Sequence, residues 1–278
     1  MDTPTFDPVK FKTMQKNAWS DVAEGWHNGI AKSFTIVSKE LCAFARIPQN
    51  GVVLDLAGGD GVASFEACAQ GASRVIATDL APTFGPIILA RARELGLNDK
   101  IEFQEADIEN LPFPDQMFDV VICQFGLMFL PDRMKGLREI YRVLKPGGVF
   151  VGGVWCPPEE NAALGTFTKI LSDHTPPKPV ETPNLFNCGE PGKLTGELTT
   201  VGFTNSIEKK LPLFFKSDDI EDAWKAWQNN GPFKGSLYAM DSNNRIEVER
   251  KLKMMFNQYA GSEGINIPGT ALLVRASK

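Results

Sequence analysis

Val52-Val53-Leu54-Asp55-Leu56-Ala57-Gly58-Gly59-Asp60-Gly61-Val62-Ala63-Ser64 runs four apolar residues and an acid into three glycines within four positions, and an amphipathic segment follows. Such a pattern reads as a buried strand ending in a tight turn that opens a helix. Glycine, having no Cβ, lets the turn's backbone approach a ligand closely and tolerates positive φ. The free N–H groups and dipole of the helix start favour a negative group there. One glycine loop is weak evidence for a site, so its meaning depends on what surrounds it.

Around this stretch the chain alternates. Strands are predicted at Val52–Leu56, Arg74–Asp79, Ile101–Ala106, Phe118–Gln124 and Val149–Trp155. Helices are predicted between them at Gly61–Gln70, Pro82–Leu95 and Arg133–Leu144, the last stopped by Lys145-Pro146-Gly147-Gly148. Continuous apolar strands alternating with helices imply a doubly wound, mostly parallel sheet covered on both faces. Residues 1–15 read as an irregular arm, Lys16–Gly25 as a helix, and Ser33 as the cap of a helix running to Arg46. Downstream, helices are predicted at Ala162–Ser172, Glu190–Val201, Asp218–Asn229 and Asn243–Tyr259. Strands at Phe203–Phe215 and Ala271–Ala276 complete seven, the last lying antiparallel beside the one before. The chain thus reads as one 278-residue domain: a helical cap over 1–50, a core over 51–155, lid insertions at 156–190 and 216–262, and closing elements at 191–215 and 263–278. The proline-rich 156–190 is too long for an ordinary connection.

Three signals coincide at carboxyl ends of strands: the glycine loop after Asp55, Asp79, and Asp107 with Ile108. Open α/β sheets bind ligands outside those ends. A carboxylate accepts two hydrogen bonds from a ribose diol, which suits Asp79. Asp107 is placed to accept from the exocyclic amine of adenine, with Leu80 and Ile108 on either side of the base. Together these describe a nucleoside pocket.

With those residues in view, the chain resembles class I S-adenosylmethionine-dependent methyltransferases, of the broad type that includes the ubiquinone/menaquinone-biosynthesis enzymes. The segments that carry the likeness are VVLDLAGGDG, VIATDL, QEADIENLPFPDQMFDVVICQFGLMFLPD and EIYRVLKPGGVFV, the last two being the more specific. The resemblance covers 52–155 closely and implies a Rossmann-like fold with S-adenosyl-L-methionine as cofactor. It implies Ala57, Gly58, Gly59 and Gly61 along the methionine part and ribose, Asp79 on the ribose hydroxyls, and Leu80, Asp107 and Ile108 at adenine. Gln124 and Phe125 fall beside the sulfonium, and Trp19 resembles an aromatic that closes over the cofactor. Asp55 is either a structural acid for the loop N–H groups or a direct ligand. The chain departs from the family in having Ala57 where glycine is frequent, Gly58 where a cysteine- or serine-like residue is frequent, and Asp60 where threonine is common. Asp60 is placed to cap the following helix.

Composition narrows the alternatives. The chain is 43% hydrophobic and 23% charged with a net charge of −5, which suits a globular protein and argues against nucleic acid as the main partner. No apolar run approaches a membrane span. The five cysteines, Cys42, Cys68, Cys123, Cys156 and Cys188, form no CxxC pair, which points to a reducing cytoplasm without disulfide framework or metal site. Gly59 and Gly61, with an acid 18 residues on, also permit an NAD-dependent dehydrogenase, but that reading leaves Asp107 and KPGG unexplained. A second alternative keeps the cofactor but catalyses no methyl transfer. No GK[ST] follows the glycines, and Ser64 is not in a GxSxG elbow. If the methyl acceptor is a hydroxyl, His174 or His27, the only histidines, are the candidate bases. The acceptor is expected to be a small molecule. Oligomeric state is not legible.

Overall fold

The computed structural model describes residues 5–26, 29–177 and 179–278. It opens on α1 (Pro8–Ser20), where the sequence predicted an irregular arm through residue 15. Asp7 accounts for the difference. Its carboxylate accepts from the backbone N–H groups of Val9 and Lys10, and Pro8 takes the first helical position, where no N–H is needed. A short turn, α2 (Ala23–Trp26), and a 3₁₀ stretch at Ile30–Phe34 lead into α3 (Thr35–Ala45). Ser33 therefore lies inside the 3₁₀ stretch and does not cap α3.

The alternating region follows: β1 (Val52–Leu56), α4 (Val62–Ala69), β2 (Arg74–Asp79), α5 (Phe84–Glu94), β3 (Ile101–Glu105), β4 (Phe118–Gln124), α6 (Arg133–Val143) and β5 (Leu144–Trp155). After it come α7 (Ala162–Ser172), α8 (Lys193–Val201), β6 (Thr204–Ser217), α9 (Ile220–Gln228), α10 (Gly231–Tyr238), α11 (Ser242–Asn257), β7 (Ala260–Gly261) and β8 (Gly264–Ser277). Strand order is β3-β2-β1-β4-β5-β8-β6, with β7 paired to β8. The pairs from β3 across to β5 are parallel, and β8 runs antiparallel to β5 from Val149↔Ser277 to Trp155↔Ala271. The doubly wound, mostly parallel sheet holds as predicted. The two-residue β7 adds an eighth strand to the seven expected, because the chain turns back on itself at the start of β8. Order reverses between β1 and β4, which makes their carboxyl ends the switch point where such sheets bind ligands.

The KPGG segment does not delay β5, which starts at Leu144. Phe118 pairs with Leu144 and Val120 with Val149, so the intervening residues bulge out of register. Lys145 Nζ lies 2.8–2.9 Å from both carboxylate oxygens of Asp119, which also accepts from the Val52 N–H. One acid thereby ties the amino end of β1 to the bulge.

The chain divides into two compact units, a helical one (Met1–Phe34, Pro157–Thr182, Pro212–Thr270) and a sheet one (Thr35–Cys156, Pro183–Leu211, Ala271–Lys278). Trp227, 1% exposed, centres the helical unit, with Phe167 at 4.8 Å and Phe215 and Phe256 each at 5.5 Å between ring centroids. Trp224 and Trp227 are thus core residues of that unit. The sequence reading missed α10, because Asn229-Asn230-Gly231 looks like a loop. The proline that follows Gly231 stands in the first turn, where proline starts helices.

Within the sheet unit, Arg133 is not the solvated helix start its sequence context suggests. It forms a two-pronged ion pair with Glu197 of α8 at 2.6 and 2.7 Å. Asn187 donates to the Met128 carbonyl at 3.1 Å. Beside it, Gly189 is pressed on the end of β5 so closely that a Cβ would sit 1.7 Å from the Trp155 carbonyl oxygen. Residues 183–190, joined at the sequence level to one long lid, are bound here to the sheet unit itself. Gly189→Ala must displace backbone rather than a side chain. It is expected to cost about 3 kcal/mol, the upper range of overpacking, read as a lower urea midpoint with an unchanged slope.

Candidate cofactor site

Beyond β1 the chain turns through three left-handed residues, Ala57 (φ 52°), Gly59 (φ 53°) and Gly61 (φ 80°). At Gly61 a Cβ would also meet Ile88 at 3.0 Å and Phe65 at 3.1 Å, so both conformation and space demand glycine. Ala57 carries its methyl group into the left-handed region, a strain of about 1 kcal/mol or more. The turn is held from within. The N–H of Gly58 donates to the Thr78 carbonyl at 2.8 Å, that of Gly59 to Asp79 Oδ2 at 3.0 Å, and that of Gly61 to the Gly58 carbonyl at 2.9 Å. No side chain caps α4. Asp60, predicted as that cap, instead lies 3.9 Å from the Arg91 guanidinium, itself stacked over the Phe65 ring.

Two buried acids sit under this turn. Asp55 is fully enclosed, with Gly58 in front of it so close that a Cβ there would be 3.0 Å from Oδ2. Asp55 Oδ2 accepts from the Ser64 hydroxyl at 2.6 Å, and Oδ1 has no hydrogen-bond partner. Burial lifts this carboxyl to about 7 against the lowering effect of the Ser64 bond, and the nearby Asp79 and Asp60 raise it further. Asp79, 8% exposed, accepts from the N–H of Gly59 on one oxygen and of Ala81 on the other. Burial raises it to about 6, opposed by those backbone bonds. An ionised carboxylate has about four lone-pair sites, so Asp79 keeps capacity for a diol. Among the described residues no lysine, arginine or histidine lies within 4 Å of Asp55 or Asp79.

Further along the same edge, Asp107 Oδ1 accepts from the Glu109 N–H at 2.9 Å beside the buried Ile108. Gln124 Oε1 accepts from the buried Ser38 hydroxyl at 2.7 Å. Phe125 is left-handed (φ 58°), fixed by its N–H to the Gly153 carbonyl, and its ring stacks on Trp155 with centroids 4.3 Å apart and planes 11° from parallel. Next to it Gly126 abuts the glycine turn, and a Cβ there would lie 2.7 Å from the Ala57 Cβ and 2.8 Å from Cys123 Sγ. Ala57, Gly58, Gly59, Leu80, Asp107, Gln124 and Phe125 are all half-buried, while Leu56, Ala81, Ile108 and Gly126 beside them are buried. The half-buried ones among the predicted residues of the sheet unit therefore form an accessible rim across β1, β2, β3 and β4, with Asp55, Gly61, Asp79 and Ile108 buried beneath it.

Sequence reasoning missed the residues behind that rim. Ser64 was noted only as unfit for a hydrolase elbow, yet its hydroxyl is the side chain that bonds the Asp55 carboxylate. Its place two residues into the helix after the turn was the available signal. Ser38 and Trp155 lie outside the quoted segments, and Thr78 and Gly126 lie inside them without an assigned role, because each acts through a neighbour distant in sequence. Two predicted residues belong to the helical unit. Trp19 belongs to the helical unit, where its Nε1–H donates to Gln15 and its ring meets Trp26 edge-on at 5.0 Å. In the same unit His174 has Asn244 Oδ1 at 2.9 Å from Nδ1 and Lys251 Nζ at 3.1 Å from Nε2. An ammonium only donates, so Nε2 accepts and Nδ1–H donates to Asn244. His27 lies outside the described residues.

S-adenosylmethionine suits these donors and acceptors. The uncapped start of α4 offers N–H groups to a carboxylate. Asp79 has room for a diol, and the unpartnered Asp55 oxygen lies where positive charge would be welcome. A dinucleotide's phosphates would instead meet two acids with no cation within 4 Å among the described residues.

Comparison with known proteins agrees. A family described as a methyltransferase domain matches residues 54–152. The ubiquinone/menaquinone biosynthesis C-methyltransferase of Psychromonas ingrahamii is 32% identical over 154 residues, covering 50% of this chain and 61% of that protein. An uncharacterized protein of Mycobacterium tuberculosis is 37% identical over 235 residues, 81% of each chain. Among solved structures, the YcgJ protein from Bacillus has a TM-score of 0.59 at 18% identity over 87% of this chain and 97% of its own. Geranyl diphosphate methyltransferase in complex with SAM has a TM-score of 0.52 at 14% identity over 87% and 84%. At those identities the likeness to the solved structures is one of fold.

The two raised acids set a pH dependence. Native Asp55 and Asp79 hold protons up to about pH 7 and 6 that the unfolded chain releases near 3.8. Their contribution is therefore present at low pH and lost as pH rises through about 6–7. Asp55→Asn is expected to raise the Tm of the ligand-free protein above pH 7 by roughly 2–4 °C or more, read by calorimetry against the wild type. The contact between the two turns makes a second prediction. Gly126→Ala alone destabilises by about 1–3 kcal/mol, and Ala57→Gly in the same chain recovers part of the loss. Strict additivity in that double-mutant cycle would show that the two turns do not touch.

Proposed function

This chain belongs to the S-adenosylmethionine-dependent methyltransferases, and we propose that it transfers the methyl group to an oxygen, nitrogen or carbon atom of a small metabolite by in-line displacement without a metal. The observation that carries the reading is the accessible rim: the glycine turn bonded to Asp79, followed by Asp107, Gln124 and Phe125 along one sheet edge. The bound cofactor supplies a methyl group already activated by a positively charged sulfur. What remains for the protein is to bind, orient and exclude water.

In this reading Asp79 holds the ribose diol, and Leu80 and Ile108 flank the adenine whose amine Asp107 accepts. Gln124 and Phe125 border the reacting end. The Phe125–Trp155 stack gives that end an apolar, water-poor wall. The engaged nitrogens of His174 favour an acceptor that needs no histidine base, such as a neutral amine or an electron-rich carbon. The Psychromonas relative is named as a C-methyltransferase of quinone biosynthesis, which makes a quinone-like carbon acceptor the first to try. That likeness covers half of this chain. Acceptor choice is assigned to 157–182 and 216–262, both of which belong to the helical unit and lie outside the matched methyltransferase domain.

Asp79→Ala is expected to weaken S-adenosylhomocysteine binding about 10–100-fold, the loss of one or two hydrogen bonds to a charged group, with the fold retained by circular dichroism. Thermal shift gives the companion result: S-adenosylhomocysteine stabilises the wild type and NAD does not. Stabilisation by NAD alone would overturn the assignment. Incubation with methyl-labelled cofactor and a small-molecule extract should move label into a metabolite, and a bound cofactor without any transfer would count against methylation.

A further inference from the structure

Asp55 is the buried group that the cofactor contacts leave unexplained. It is fully enclosed behind Gly58, so it does not touch what lies on the rim. One of its oxygens accepts from Ser64, and the other accepts from nothing. The groups that face it are Asp79 from β2, Asp60 from the turn, the Cys42 thiol from α3 and the Cys123 thiol from β4. The two acids repel a charge on Asp55, and burial pushes both thiols up, so they stay neutral. No cation compensates it within 4 Å among the described residues. An ionised carboxylate so placed is costly until positive charge arrives from outside.

Resting on the methyltransferase reading, we propose that Asp55 is a proton-coupled counter-charge that makes the glycine turn prefer the sulfonium cofactor to the thioether product. In the free protein the carboxyl keeps its proton, which hydrogen-bonding geometry does not oppose, since Oδ1 has no competing donor. When the cationic cofactor settles on the turn, the proton leaves to solvent and the carboxylate faces the new positive charge across Gly58. The balance is one cofactor cation bound and one proton released. After methyl transfer the sulfur is neutral, the reason for ionising Asp55 weakens, and the proton returns. Asp55 acts here through the field at the turn, as a positioning group and not as a contact.

The test is calorimetric titration of the whole chain with S-adenosylmethionine and with S-adenosylhomocysteine at about pH 6, 7 and 8, each in two buffers of different ionisation enthalpy. S-adenosylmethionine binding is expected to release about half a proton near pH 7 and close to one near pH 6, and to tighten about tenfold between pH 6 and pH 8. The product should release less and tighten less than about threefold. Asp55→Asn should remove the difference between the two ligands. Ser64→Ala keeps the carboxyl and deletes the hydroxyl that donates to it, so it should move the transition to higher pH, and it decides the matter if Asp55→Asn does not fold. Equal proton release by both ligands, or none by either while both bind, overturns the proposal. Failure of both ligands to bind at every pH overturns the methyltransferase reading itself, and this inference with it.

Discussion

The hydrogen bond from the Gly59 N–H to Asp79 joins the turn after β1 to the end of β2, and the accessible edge of the sheet is built on that joint. Gly59 makes this bond from the left-handed region (φ 53°), a conformation that glycine adopts without a Cβ penalty. With Gly59 so placed, Gly58 donates back to the β2 carbonyl of Thr78, and Gly61 can release the chain into α4. The turn therefore presents backbone at its surface and keeps its side chains beneath. Both acids under it are stranded from water by the same arrangement, which is why their proton affinities rise. An accessible sheet edge and a strained electrostatic interior are two consequences of one bond.

A second layer of constraint comes from the neighbouring turn after β4. Phe125 is left-handed although it has a bulky side chain, a conformation that survives only where surroundings impose it. They do so through the bond to Gly153, the parallel stack on Trp155, and the approach of Gly126 to Ala57. The methyl of Ala57, a departure from the family pattern, is accommodated because residue 126 has no Cβ. Local strain in two adjacent turns is thus mutual, and the flat aromatic pair is its visible outcome.

Much of the sheet was legible in the sequence because parallel strands are buried on both faces. Runs such as Phe118–Gln124 must be apolar without interruption, and the glycines and prolines between runs mark the turns. The same logic failed where a short polar signal outweighed periodicity. Asp7-Pro8 starts a helix in what looked like an irregular arm, and the proline after Gly231 does likewise in a stretch rich in asparagine and glycine. Residues 183–190 looked like lid for want of any apolar pattern. Three contacts hold them: Asn187 on the Met128 carbonyl, the Arg133 guanidinium on Asn187 Oδ1, and Gly189 on β5, each formed with a residue far away in the chain.

By itself the sequence determined the sheet, its winding and the residues of the rim, Ala57, Gly58, Gly59, Leu80, Asp107, Gln124 and Phe125, with Asp79 beneath it, since backbone turns at strand ends need particular residue types at particular spacings. Only the tertiary structure decided what those residues rest on. That Asp55 is sealed behind Gly58 with one oxygen unpartnered, that Asp60 turns to Arg91 and leaves α4 uncapped, and that both nitrogens of His174 are engaged are facts of packing between distant segments. Residue type sets what a side chain can bond to, and three-dimensional packing sets which of those partners comes within reach.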